Sequence, residues 1–164
     1  MSRTASRAIW LAVYAVAMGW LEAVVVVYLR AILGIGHGAG LPDTAEVMRR
    51  FAQSPTLLHV EQTREAATLI MLGAVGWLGA PRLTGRFGGF LVIFGVWDIS
   101  YYLALRILVG WPSSLSDMDL LFLLPTHPWW YQPVWVPVLI SCGMIALGLR
   151  LLATDPAARA PLEP

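Results

Sequence analysis

The chain has 164 residues, 58% of them hydrophobic and 13% charged, with a net charge of +1 and a mean hydropathy of +0.68. A soluble domain carries about 25% charged residues, so the composition excludes an ordinary soluble fold, and it offers no clustered basic face for nucleic acid. All eleven basic residues are Arg, and the single cysteine, Cys142, excludes an intramolecular disulfide and a cysteine-rich metal site.

Crossing the ~30 Å hydrocarbon core takes about 20 mainly apolar residues. The first such stretch is 8–31, broken only by Glu22 and a terminal Arg30. Arg3 and Arg7 ahead of it suggest a secretory signal, but the apolar run is too long for an h-region, and an uncleaved helix is expected. The glycine-rich run from Gly34 to Gly40 follows a membrane helix and no Lys follows it, so the phosphate-loop reading fails and a flexible connector is expected. Asp43 and Glu46 resemble a capping box for a short helix with apolar positions at Ala45, Val47, Met48 and Phe51.

Ser54-Pro55 reads as N-cap and N1 of a helix leading into a second span, 57–80, with Glu61, Arg64 and Glu65 in its opening turns. Gly73, Gly76 and Gly79 on this helix are expected to permit close helix packing. The third span, 87–109, contains Asp98 and Arg106. Beyond it, Ser116 and Asp119 are expected to cap a short helix through Leu120–Leu124, stopped by Pro125. The fourth span, 133–152, has no acidic residue. The expected fold is therefore all-α. Residues 1–153 form an integral membrane four-helix bundle with short interfacial helices in the two outer segments, and 154–164 form a disordered cytoplasmic tail.

Orientation follows from arginine placement. Arg3 and Arg7, Arg82 and Arg86, and Arg150 and Arg159 flank the same ends of the four spans. The positive-inside rule puts both termini in the cytoplasm of a bacterial inner membrane. Trp10 and Trp77 fall near the inner boundary, and Trp111, Trp129, Trp130, Tyr131 and Trp135 near the outer one, as an aromatic belt requires.

Charges inside a bilayer are costly and mark functional sites by default. Counting about 1.5 Å per residue from the inner boundary, Asp98 lies at roughly 17 Å, Glu22 at roughly 20 Å, Glu65 at roughly 24 Å and Arg64 at roughly 25 Å. Three helices thus place acids in one layer of the outer half. Asp98, Tyr102 and Arg106 share one face of their helix, with Tyr101 beside them; Glu61, Arg64, Glu65 and Thr68 share a face of theirs. Turned inward, these faces form a polar pocket.

Several readings of that layer stand side by side. The acids and arginines pair internally and fix helix register. Alternatively, Glu22, Glu61, Glu65 and Asp98 hold a divalent metal ion of the hard, oxygen-loving kind, or Tyr101, Tyr102, Arg64 and Arg106 help bind a small polar ligand. A di-iron centre is disfavoured, because no Glu-x-x-His pair occurs. His37, His59 and His127 all fall outside the span interiors. A non-catalytic accessory subunit of a larger membrane complex, and a membrane enzyme acting on a lipid or quinone with Asp98 or Glu65 as base, are the alternative functions.

Glu65-Ala66-Ala67-Thr68, Trp97-Asp98 with Tyr101-Tyr102, Gly110-Trp111-Pro112, and Asp119 before Leu121–Pro125 together resemble a group of uncharacterised bacterial four-helix membrane proteins. The resemblance implies a recurring family with a motif centred on the polar layer. It implies no activity.

Overall fold

The computed structural model describes residues 3–124 and 127–154. Pro125, Arg159 and the expected tail beyond Thr154 lie outside the described residues. The elements run α1 (Arg3–Ile32), α2 (Thr44–Ala52), α3 (Pro55–Leu78), α4 (Leu83–Val109), strand β1 (Met118–Leu120), a 3₁₀ turn (Pro128–Trp130), strand β2 (Tyr131–Pro133) and α5 (Trp135–Thr154). Three helices, α1, α4 and α5, are long and apolar enough to cross a membrane. The fourth long helix, α3, has 24 residues, but Glu61, Arg64 and Glu65 interrupt its apolar length.

α4 is the hub. α1, α3 and α5 each pack against it, whereas α3 and α5 lie along it with little contact between them. Pairwise approaches fix the directions. A Cβ on Gly76 would meet the Phe90 backbone at 2.9 Å, one on Gly19 the Trp97 carbonyl at 2.7 Å, and one on Gly95 the Ser141 carbonyl at 2.6 Å. Helix α1 therefore runs parallel to α4, and α3 and α5 antiparallel to it. Glycine at these seams lets backbones approach closely, the usual device where lipid supplies no hydrophobic drive for helix association. Of the three glycines expected to do this on α3, Gly76 does, Gly79 meets the Leu11 side chain at 3.3 Å, and Gly73 faces open space.

Local signals account for the helix ends. Asp43 accepts a bond from the Glu46 N–H (2.8 Å), but the Glu46 carboxylate turns to Arg49 and Arg50 instead of closing the box. Ser54 precedes Pro55 at the start of α3, and α4 stops at Gly110 with φ 72°, the left-handed cap glycine favours. The glycine-rich connector is held by the Gly38 N–H on the Val109 carbonyl at the end of α4 (2.7 Å) and by the Arg30 guanidinium on the Ala39 carbonyl.

The expected helix over Leu120–Leu124 does not form. Met118–Leu120 is a strand paired antiparallel with Tyr131–Pro133, Asp119 opposite Gln132, and the ladder is extended by Leu121 N–H to the Trp130 carbonyl (2.9 Å) and Val134 N–H to the Asp117 carbonyl (2.9 Å). A short apolar run does not reveal its own period; here a partner strand satisfies its backbone. Asp117 serves as the local turn anchor, accepting from the Ser113 N–H (2.6 Å) and the Ser114 hydroxyl (3.0 Å).

Three apolar clusters result. One fills the end of the bundle where α1 and α4 begin, around Leu11, Leu72, Ile93 and Leu152. A second joins α1, α4 and α5 around Leu105, Trp111 and Val134. The third, Val47, Phe51 and Leu123, lies beneath the outer segments.

Candidate functional site

Between these clusters lies a cavity of about 370 Å³, lined by residues of α1, α2, α3, α4, α5 and the β1 segment. Five carboxylates line it, Glu22, Glu61, Glu65, Asp98 and Asp119, against two guanidiniums, Arg30 and Arg64. The rest of the wall is largely aromatic and aliphatic, including Phe94, Trp97, Tyr101, Tyr102, Trp111 and Trp130.

Arg64 is the electrostatic centre. It bridges Glu22 of α1 and Glu61 of its own helix, and its Nε–H also donates to Glu61 Oε1 (2.9 Å). Glu22 accepts a further bond from the Thr68 hydroxyl (3.3 Å). The i, i+3 spacing of Glu61 and Arg64 puts both on one face of α3, and α1 brings Glu22 to meet them. This is the internal pairing that the sequence admits.

The other three acids make no salt bridge among the described residues. Glu65 accepts the Leu123 N–H through both oxygens (3.1 and 2.9 Å). Asp98 accepts the Ser141 hydroxyl (2.8 Å). Asp119, 6% exposed, accepts the Tyr102 hydroxyl (2.9 Å) and its neighbour's N–H at Leu120 (2.9 Å). Burial pushes the Asp119 carboxyl above its ordinary range, and its hydrogen bonds and the field of Arg30 pull it partly back. Arg30 itself is 4% exposed; it lies over the Trp111 ring, 4.9 Å from the centroid, and donates to the Ala39 carbonyl.

The indole N–H groups of the lining residues Trp97 and Trp111 are buried without a hydrogen-bond partner among the described residues, which is uncommon.

The cavity brings together seven of the eight residues singled out from sequence: Glu22, Glu61, Glu65, Asp98, Arg64, Tyr101 and Tyr102. Arg106 is elsewhere. It is exposed and donates to the carbonyls of Gly110 (3.0 Å) and Pro112 (2.9 Å), closing the end of α4. The reason is helical drift: eight residues at about 100° each leave Arg106 roughly 80° around from Asp98. The converging carboxylate cage expected of a metal site is not found: among the described residues no three His, Cys, Asp or Glu side chains come together to hold an ion. None of the histidines lines the cavity; His59 bonds the Pro55 carbonyl (2.8 Å) and His127 accepts the Trp129 N–H (3.1 Å).

Sequence reasoning understated Arg30, Ser141 and Trp111. Arg30 had a readable signal, a charge two turns beyond Glu22 on the same helix. Ser141 bonds across to Asp98, a partner on another helix that its own helix does not reveal. Comparison with family models, with curated proteins and with solved structures finds no match to this chain.

Proposed function

We propose that this is a four-span protein of a bacterial inner membrane, with both termini cytoplasmic, whose outer-half cavity binds a small amphipathic cation. The observation that carries the reading is the charge inventory of the cavity wall, where five carboxylates face two guanidiniums. Arg64 is consumed by Glu22 and Glu61, so Glu65, Asp98 and Asp119 have only neutral donors in direct contact. A buried carboxylate strongly favours a positive partner. Aromatic faces around it add cation–π attraction, the means by which proteins recognise ammonium groups. A cavity of about 370 Å³ falls in the ordinary range for small-molecule sites, about 300–1,000 Å³.

Placing α3 in the membrane is supported by the same pairing. Its three charges sit at the cavity, with Arg64 neutralised by Glu61 and by Glu22 of α1. Membership of the bacterial group that the Trp97-Asp98 and Gly110-Trp111-Pro112 motifs resemble is part of the proposal. The divalent-metal reading has less behind it, since the acids are dispersed over separate hydrogen-bond partners.

The binding test uses two probes of matched shape and opposite charge, tetraphenylphosphonium and tetraphenylborate, titrated into purified protein in detergent. The cation is expected to bind, and D98N or E65Q to weaken it by about tenfold, near 1.4 kcal/mol. Preferential binding of the borate, or cation binding indifferent to both substitutions, would sink the reading. For topology, Thr84 and Ser113 are exposed, as is Cys142. In a C142S background, T84C should label only from the cytoplasmic side and S113C only from the periplasmic side; labelling of both from one side refutes the four-span arrangement.

A further inference from the structure

The end of the bundle far from the cavity carries a second recess, bounded by Arg7 of α1, Trp77, Leu78, Gly79, Ala80 and Pro81 at the turn after α3, and Arg86 of α4. No acid lines it. Along α4 the nearest described acid is Asp98, twelve residues on, or about 18 Å at the helical rise; along α1 it is Glu22, farther still. The Arg7 side chain makes no hydrogen bond or ion pair among the described residues.

Arg86 is held in position without being neutralised. Its guanidinium lies over the Trp77 ring at 4.1 Å from the centroid, and its Nε–H donates to the Ala80 carbonyl (3.0 Å). Both terminal nitrogens keep their donors for another acceptor. Stacking and one carbonyl bond thus fix a guanidinium fork before anything binds, and a fork of this kind matches phosphate oxygens two at a time. Trp77, Leu78, Leu83 and Phe87 around the recess are all exposed, Leu78 to 83%. An acceptor that fits is therefore anionic at one end and apolar at the other.

We infer that the Arg7–Arg86–Trp77 recess is a site for the headgroup phosphate of an anionic phospholipid, its acyl chains lying along the exposed apolar surface of α3 and α4. The guanidiniums take the phosphate and the indole edge sits at the level of the glycerol, where aromatic side chains favour the interface. Basic pockets between membrane helices on the cytoplasmic side hold lipid headgroups by this chemistry. The inference requires a membrane-embedded protein and is independent of what fills the outer cavity.

The test is native mass spectrometry of the intact protein in micelles doped with equal amounts of phosphatidylglycerol and phosphatidylcholine. Wild type is expected to retain the glycerol lipid preferentially. In R7Q/R86Q that preference should fall by about tenfold or more, the scale expected for losing two interfacial arginines. R49Q/R106Q, which removes equal charge at the opposite end, should keep it. R86K should recover only part, because an ammonium lacks the fork. Equal retention of both lipids by wild type overturns the site, and does so even if R7Q/R86Q fails to fold. Unchanged preference in R7Q/R86Q, or equal loss in R49Q/R106Q, also overturns it. Displacement of the bound lipid by millimolar glycerol 3-phosphate would assign the recess to a free phosphate compound and overturn the lipid assignment.

Discussion

Arg64 and Arg86 occupy opposite ends of the same bundle and are held in opposite ways. Arg64 is enclosed between two carboxylates, Glu22 and Glu61. Arg86 rests on an indole and a carbonyl, with no ion pair to an acid among the described residues. The contrast extends to their surroundings. Every described acid lies in the half of the bundle that holds the cavity or in the segments beyond it, whereas Arg7, Arg82 and Arg150 at the other end make no side-chain ion pair among the described residues. Glycine seams run through both halves: a Cβ on Gly148 would fall 2.6 Å from the Gly88 carbonyl, far from the cavity, and one on Gly95 2.6 Å from the carbonyl of Ser141, which lines it. One end leaves its charges to the surroundings; the other compensates charges internally and leaves space.

Different substitutions should therefore break each end. The largest effect is expected from R64M, which strands Glu22 and Glu61. Breaking a buried pair from one side costs about 3–5 kcal/mol, read as lost thermal stability in detergent, and R64M/E22Q/E61Q should recover most of it. R86M should leave the melting temperature nearly unchanged. A larger loss in R86M than in R64M would invert the comparison.

G148V attacks the inner seam and should cost about 1–3 kcal/mol, the usual penalty of overpacking, whereas G73A, facing open space, should be neutral or stabilise by up to about 1 kcal/mol. A melting temperature in G73A as low as in G148V would remove the packing argument. Y102F leaves Asp119 without its hydroxyl donor. The expected loss is about 1–3 kcal/mol, with cation binding at the cavity altered as well.

The smallest effect concerns α2. Arg49 and Arg50 hold the exposed Glu46 carboxyl down to about 2 from an ordinary 4.5. A depressed folded-state value contributes stability that is complete above about 4.5 and fades as pH falls towards 2. Hydrogen exchange of the α2 amides should quicken slightly across that window in wild type and stay level in E46Q. Solvent screening keeps the effect small.

Much of this was legible in the chain. Glu22, Glu65 and Asp98 shared a depth because helix rise is constant, and a buried charge restricts which face turns inward; that is why the counting found the cavity. The Asp43 and Ser54 helix starts were visible because capping is local. Arg106 went astray because a shared helix face blurs over two turns. The segment expected as a helix through Leu120–Leu124 was misread because the strand partner of Met118–Leu120, Tyr131–Pro133, begins eleven residues after Leu120 and short apolar runs carry no period of their own. Gly95 and Gly148 gave no signal for α5 because a seam glycine is defined by its neighbour, not by its own sequence.

The separation of α3 from α5 has a consequence for how the cavity is reached. Both helices contribute to its wall, Glu65, Thr68 and Leu69 from one and Pro137, Ile140 and Ser141 from the other, yet they flank α4 without closing on each other. With both in the bilayer, a gap along this flank would be a doorway opening sideways. A molecule would arrive by diffusion in the plane of the membrane, already concentrated there by partitioning. Occupancy would then follow the amount dissolved per lipid, so the same aqueous dose should fill less of the protein as lipid is added.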